Sequence, residues 1–156
     1  MTKTKAFMVA VAVAAGGYAM YRWQASDTTS VVTEASDTVV QDRLWIDHIP
    51  RNERDTVQVF IALTQEPLGA FQAASRWQGK YELFRYEKSG GEIRAVFPQT
   101  GSKETMKVKV TKCDTGGMDY CLDLSGSSHG VKRYYSREEW VIGSMPDAKQ
   151  LAATLK

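Results

Sequence analysis

The chain is poor in the residues that build metal and nucleophile chemistry. Its 156 residues include two cysteines and two histidines. A four-cysteine zinc site is excluded, and Cys113 with Cys121, lacking a second ligand pair nearby, makes an incomplete one. A histidine metal site needs both His48 and His129 plus carboxylates, and no spacing argues for it. Glycine loops of the Gly-Xaa4-Gly-Lys-Ser/Thr kind are missing, as is a dinucleotide fingerprint, so no cofactor is expected. An excess of one charge is missing too: without Lys3 and Lys5 the 20 basic residues fall to 18, against 18 acidic ones. Nucleic-acid binders carry a basic face because phosphate contacts dominate their affinity. Here Lys107, Lys109 and Lys112 read as solvated side chains on a strand, and nucleic acid is not an expected partner.

Long hydrophobic runs are also scarce, with one exception at the start. Lys3 and Lys5 precede an uncharged Ala/Val-rich stretch from Ala6 to Tyr21, closed by Arg22. A basic segment followed by so short an apolar one reads as a secretory signal. As an uncleaved anchor, residues 6–21 would span roughly 24 Å of a ~30 Å hydrocarbon core, with Tyr21 and Trp23 at the interface. Residues 1–23 are therefore a signal peptide or membrane anchor. Both readings place the remainder outside the cytoplasm, periplasmic or otherwise extracytoplasmic. No cysteine near the stretch offers a thiol for lipid attachment. Residues 24–42 follow as a Ser/Thr/Asp-rich flexible linker in which Ala25-Ser26-Asp27-Thr28 recurs as Ala35-Ser36-Asp37-Thr38. Such composition buries too little apolar surface to offset its ordering entropy.

Residues 43–156 carry the folded domain. Lys107-Val108-Lys109-Val110-Thr111 and Met118 to Leu124 alternate polar and apolar at period two, as half-buried strands do. Eight strands are expected: Arg43–His48, Thr56–Thr64, Leu68–Trp77, Lys80–Glu87, Glu92–Phe97, Thr105–Cys113, Met118–Leu124 and Val131–Tyr135. Clusters such as Gln65-Glu66-Pro67, Ser89-Gly90-Gly91 and Thr115-Gly116-Gly117 reverse the chain between them. Short loops favour antiparallel neighbours, hence an all-β, up-and-down meander that closes as a small barrel or packs as two sheets. Cys113 and Cys121 flank a turn. An even cysteine count in an exported chain favours a disulfide, and a register placing them opposite each other sets Val110 against Leu124 and Lys112 against Leu122.

The C-terminal part changes period. Ser136-Arg137-Glu138-Glu139 fits a capping box with Tyr135 and Trp140 as its hydrophobic staple. Ser144-Met145-Pro146-Asp147 opens a second helix, in which Ala148, Leu151, Ala152 and Leu155 share one face. This helix is expected on the barrel wall or across one mouth. In layout, an exported eight-strand meander followed by a helix resembles the calycins, the lipocalin-like and avidin-like barrels. The lipocalin Gly-Xaa-Trp signature is absent: Trp45 follows Arg43-Leu44 and Trp77 follows Ser75-Arg76.

Chemistry has few footholds. Gly126-Ser127-Ser128-His129-Gly130 satisfies the Gly-Xaa-Ser-Xaa-Gly elbow of serine hydrolases, but what leaves it reads as a strand rather than a helix, and no histidine follows His129. Catalysis by Ser128 is the remote alternative, and no catalytic residue is expected. Asp47 and His48 would point to opposite faces of a strand and could not easily hydrogen-bond each other. What remains is a cavity. Trp45, Phe71, Trp77, Tyr81, Leu83, Phe97, Met106 and Tyr120 are expected to face inward, with Ala73, Ser75 and Ala95 among them. An eight-strand barrel is just wide enough to be filled by side chains or to hold one small ligand. The same residues would look identical in a packed core, the favoured reading, and in an apolar-ligand site. On the second reading, Trp77, Tyr81, Phe97 and Tyr120 are the ligand-binding candidates. The expected function is a non-catalytic, exported or membrane-tethered envelope domain binding a small apolar ligand or a protein partner. The alternative is a structural or assembly component of an envelope complex without a ligand.

Overall fold

The computed structural model describes residues 39–76 and 78–155, so the leader, most of the linker and Trp77 lie outside the described residues. Eight antiparallel strands form a hydrogen-bonded ring in chain order, β1 Trp45–Ile46, β2 Val57–Leu63, β3 Leu68–Ala74, β4 Gly79–Ser89, β5 Glu92–Val96, β6 Lys103–Thr115, β7 Met118–Ser125 and β8 Arg133–Ser136. One helix, α1 Met145–Ala153, follows. Among the described residues no helix is long and apolar enough to cross a membrane.

The ring closes on a short seam. Ile46 pairs with Val59 on one side and Tyr135 on the other. Beyond it the C-terminal segment continues the seam: Leu44 N–H donates to Trp140 O at 3.1 Å, and Ile142 N–H to Asp42 O at 2.9 Å. These bonds correct the expected helix at Ser136–Glu139. Ser136 stays in β8, paired with Tyr120, and the backbone on either side of Val141 is engaged by the seam. Glu138 N–H donates to Asp119 Oδ2 at 2.8 Å instead of capping a helix. The helix expected after Ser144 does form. Ser144 Oγ accepts from Asp147 N–H at 3.3 Å, and Asp147 Oδ2 accepts from Gly143 N–H at 3.2 Å, a reciprocal cap.

Two apolar clusters hold the ring, one on each side of its wall. Inside lie Trp45, Phe60, Phe71, Phe84, Ile93, Phe97, Met106, Leu122, Leu124 and Tyr134. The phenylalanine rings pack tilted against one another, with centroids 5.1 Å apart for Phe60–Phe71, 5.4 Å for Phe71–Phe84 and 5.5 Å for Phe84–Phe97. Gly69 sits opposite Phe84 in register, and a Cβ there would collide with that ring. Outside, Leu44, Ile46, Val57, Val59, Ile61 and Leu63 pack against Trp140, Ile142 and Ala148. Strand β2 is therefore covered on both faces, which explains why Val-Gln-Val-Phe-Ile-Ala-Leu reads as a nearly continuous apolar run. The packing also extends upstream of Arg43: Val40 is buried, and its carbonyl accepts the Trp45 indole N–H at 2.9 Å.

Cys113 and Cys121 are joined, with Cα atoms 5.7 Å apart, but in a different register from the expected one. Cys121 lies opposite Thr111, Val110 opposite Leu122 and Val108 opposite Leu124, with a bulge between Lys112 and Thr115. The turn sets this. Gly116 and Gly117, at φ 61° and 76°, make a two-residue reversal that pairs Thr115 with Met118, and the bulge takes up the offset. By the loop-entropy model, removing the bridge as Cys113→Ala/Cys121→Ala costs about 2.5 kcal/mol of unfolding free energy. Urea titration of both forms measures it, and equal midpoints would deny the bridge a stabilising role.

Candidate functional site

The ring interior holds the aromatic core cluster, and the three expected ligand-binding residues that are described do not all converge in it. Phe97 is buried in the inner cluster, whereas Tyr81 lies on the outer face of β4 and is 70% exposed. Leu83 shares that outer phase, because Phe84 and Tyr86 occupy the inner one. Tyr120 does face inward, half-buried against the inner cluster toward the opposite end, with the Arg43 guanidinium 4.6 Å above its ring. There it borders a concavity of about 350 Å³ beside the disulfide. Trp77 lies outside the described residues.

Polar chemistry gathers at the end of the ring that carries the β7–β8 loop. Gly126 enters this loop at φ 83°, and its bare Cα lets the chain run against the Thr105 carbonyl, where a Cβ would clash. His129 then folds over the mouth, stacked on Phe71 with ring centroids 3.8 Å apart and 5.8 Å from Phe97. Its Nε2 lies 3.1 Å from Glu82 Oε2 and its Nδ1 3.2 Å from Ser127 Oγ. Ser127 Oγ also accepts from the His129 backbone N–H at 3.2 Å. Serine, histidine and glutamate are triad residue types, but the hydroxyl here is tied into its own turn rather than aimed at open space. Ser128, the serine singled out in the sequence, offers only its N–H, to Glu104 Oε2 at 3.3 Å. The cluster closes the mouth.

The second histidine stands at the same end. Because β1 stops at Ile46, Asp47 and His48 no longer alternate, and their side chains meet: His48 Nδ1 is 2.9 Å from Asp47 Oδ1 and Nε2 is 3.2 Å from Asp55 Oδ2. This corrects the expectation that the two side chains point to opposite faces. The Nε2 contact lacks hydrogen-bond geometry. Asp55 Oδ2 accepts the Arg51 backbone N–H at 3.0 Å and its Nε–H at 3.2 Å. Those bonds, the backbone one first, with His48 adding to them, hold the Asp55 carboxyl at about 2, well below its ordinary 3.8.

A groove of about 780 Å³ lies outside the ring, between α1, the β1–β2 loop and the outer faces of β2 and β3. Its floor is apolar, from Val57, Val59, Ala152 and Leu155, and its rim carries the ion pairs Arg51–Asp55 and Arg76–Glu53. Residue-by-residue reading missed this groove. Its signals were the apolar stripe of α1 and the two-faced β2. Among the described residues no group of three or more His, Cys, Asp or Glu is placed to hold a metal. Comparisons with protein-family models, curated proteins and solved structures find no match to this chain.

Two outcomes follow from this geometry. The native contribution of Asp55 is present above pH 3.8 and is lost as pH falls toward its folded value of about 2. Carboxyl NMR of Asp55 should titrate near that value, and Asp55→Asn should remove the acid-induced loosening of the β1–β2 loop; a midpoint near 4 would refute the interaction. Tyr134 is fully buried and its hydroxyl has no partner among the described residues, while burial holds it protonated far above the usual phenol range. Tyr134→Phe should therefore stabilise the fold by about 1 kcal/mol. A destabilised variant in the same urea titration would show that the hydroxyl is satisfied.

Proposed function

We propose that this chain is a non-catalytic, exported or membrane-tethered domain of the cell envelope, a calycin-like barrel that binds an apolar ligand or an apolar segment of a protein partner on its outer wall. The observation that carries this reading is the division of space. The interior is occupied by its own aromatic side chains, and a groove with an apolar floor lies outside, between α1 and β2–β3. Its 780 Å³ falls in the range of small-ligand sites, about 300–1,000 Å³. The basic n-region with its apolar stretch supports export, and the disulfide fits an oxidising compartment. The Ser127–His129–Glu82 cluster supports a non-catalytic role, since its serine is engaged within its own turn.

A hydrophobic fluorophore titrated into the purified chain tests this. Saturable binding is expected, and Ala153→Glu, on the exposed rim of the groove, should weaken it at least about tenfold by placing a charge where apolar surface is buried. An unresponsive parent, or a variant that binds as well as the parent, refutes the groove.

A further inference from the structure

The ring's outer wall is not uniform. On the β1–β2 side it is covered by α1 and the Trp140–Ile142 segment, while the outward positions of β4, β5 and β6 have no such cover. Alternation places Arg85, Arg94, Lys103, Lys107 and Lys109 on that bare face, against only Glu87 and Glu92. The excess of three positive charges exceeds the net charge of the whole chain, +2. Lysines of this kind often guard a sheet edge, and Lys109 stands on the part of β6 beyond the β5 pairing, but Lys103 and Lys107 are both paired with β5 and have no edge to guard. Arg85, Val96 and Lys103 stand in one cross-strand row, with Val96 41% exposed. Tyr81, 70% exposed, lies on the outer phase of the same β4. Cations flanking an exposed aliphatic and an aromatic side chain suit a headgroup layer, where phosphates meet the charges and Tyr81 sits at the interface.

We infer that the outer face of β4–β6 docks on an anionic phospholipid surface. An oxidised disulfide argues for a compartment where lipid phosphate, rather than nucleic acid, is the abundant polyanion. The inference rests on the envelope reading for bringing the domain near a bilayer, because residues 6–21 precede the packed domain by fewer than twenty positions.

The full chain is reconstituted in nanodiscs of phosphatidylcholine, alone or mixed with phosphatidylglycerol, and its lysines are acetylated and read by mass spectrometry. Acetylation of Lys103, Lys107 and Lys109 should fall roughly tenfold in the anionic discs only, with Lys149 on α1 unchanged, and molar salt should restore it. Lys103→Glu/Lys107→Glu should abolish the protection of Lys109 with the circular dichroism spectrum intact. Equal labelling in both discs overturns the inference, and so does equal protection by polyglutamate without lipid. Should the chain not enter discs, the tether fails, and the same labelling against anionic vesicles decides the face: protection there upholds it, and none overturns it.

Discussion

The hydrogen-bonded closure between the first and last strands is the constraint on which the molecule depends. Ile46 serves both neighbours, and the strands themselves contribute little length to that junction. Residues 42–44 and 140–142 extend it, and their side chains explain why it holds. Leu44 and Ile46 face outward onto Trp140 and Ile142, while Trp45 faces inward onto the phenylalanines. Apolar burial on both sides of a short ladder does what the ladder alone could not, since each hydrogen bond adds only about 1 kcal/mol net. Were the seam to open, β1 and β8 would become bare edges, and the outer cluster that seats α1 would lose its frame.

That arrangement also decides where open concave space lies. A ring of this size has room for side chains or for one small molecule, and here Phe60, Phe71, Phe84, Phe97 and Trp45 take the room. His129 and its partners then close one mouth over Phe71. The usable concave surface is displaced to the wall, where α1 leans on β2 without covering all of it. The groove is thus a consequence of the same segment that completes the seam.

The two sides of the wall differ in electrostatic character. The groove carries its charges as neutralising pairs, Arg51 with Asp55 and Arg76 with Glu53. The bare face of β4–β6 carries a surplus of cations.

Period-two alternation in β6 and β7, and glycine clusters at the turns, determined eight strands, their order and the pairing of the cysteines before any coordinates, because these depend on neighbours in the chain. So did the Ser144 cap, whose partners are three residues apart. Other features needed the third dimension. Strand β4 carries large apolar groups in both phases, Tyr81 and Leu83 against Phe84 and Tyr86, so alternation could not say which faced in. The hole at Gly69, a whole strand away, admits Phe84 and settles it. The capping box at Ser136 was locally sound but lost to long-range pairing with residues 42–44. Asp47 meets His48 only because β1 ends early, and the hairpin register moved because a Gly-Gly turn and a bulge outweighed the assumption of opposed thiols. Local chemistry determines which elements form. Steric fit and pairing between distant segments decide which face is buried and where a site lies.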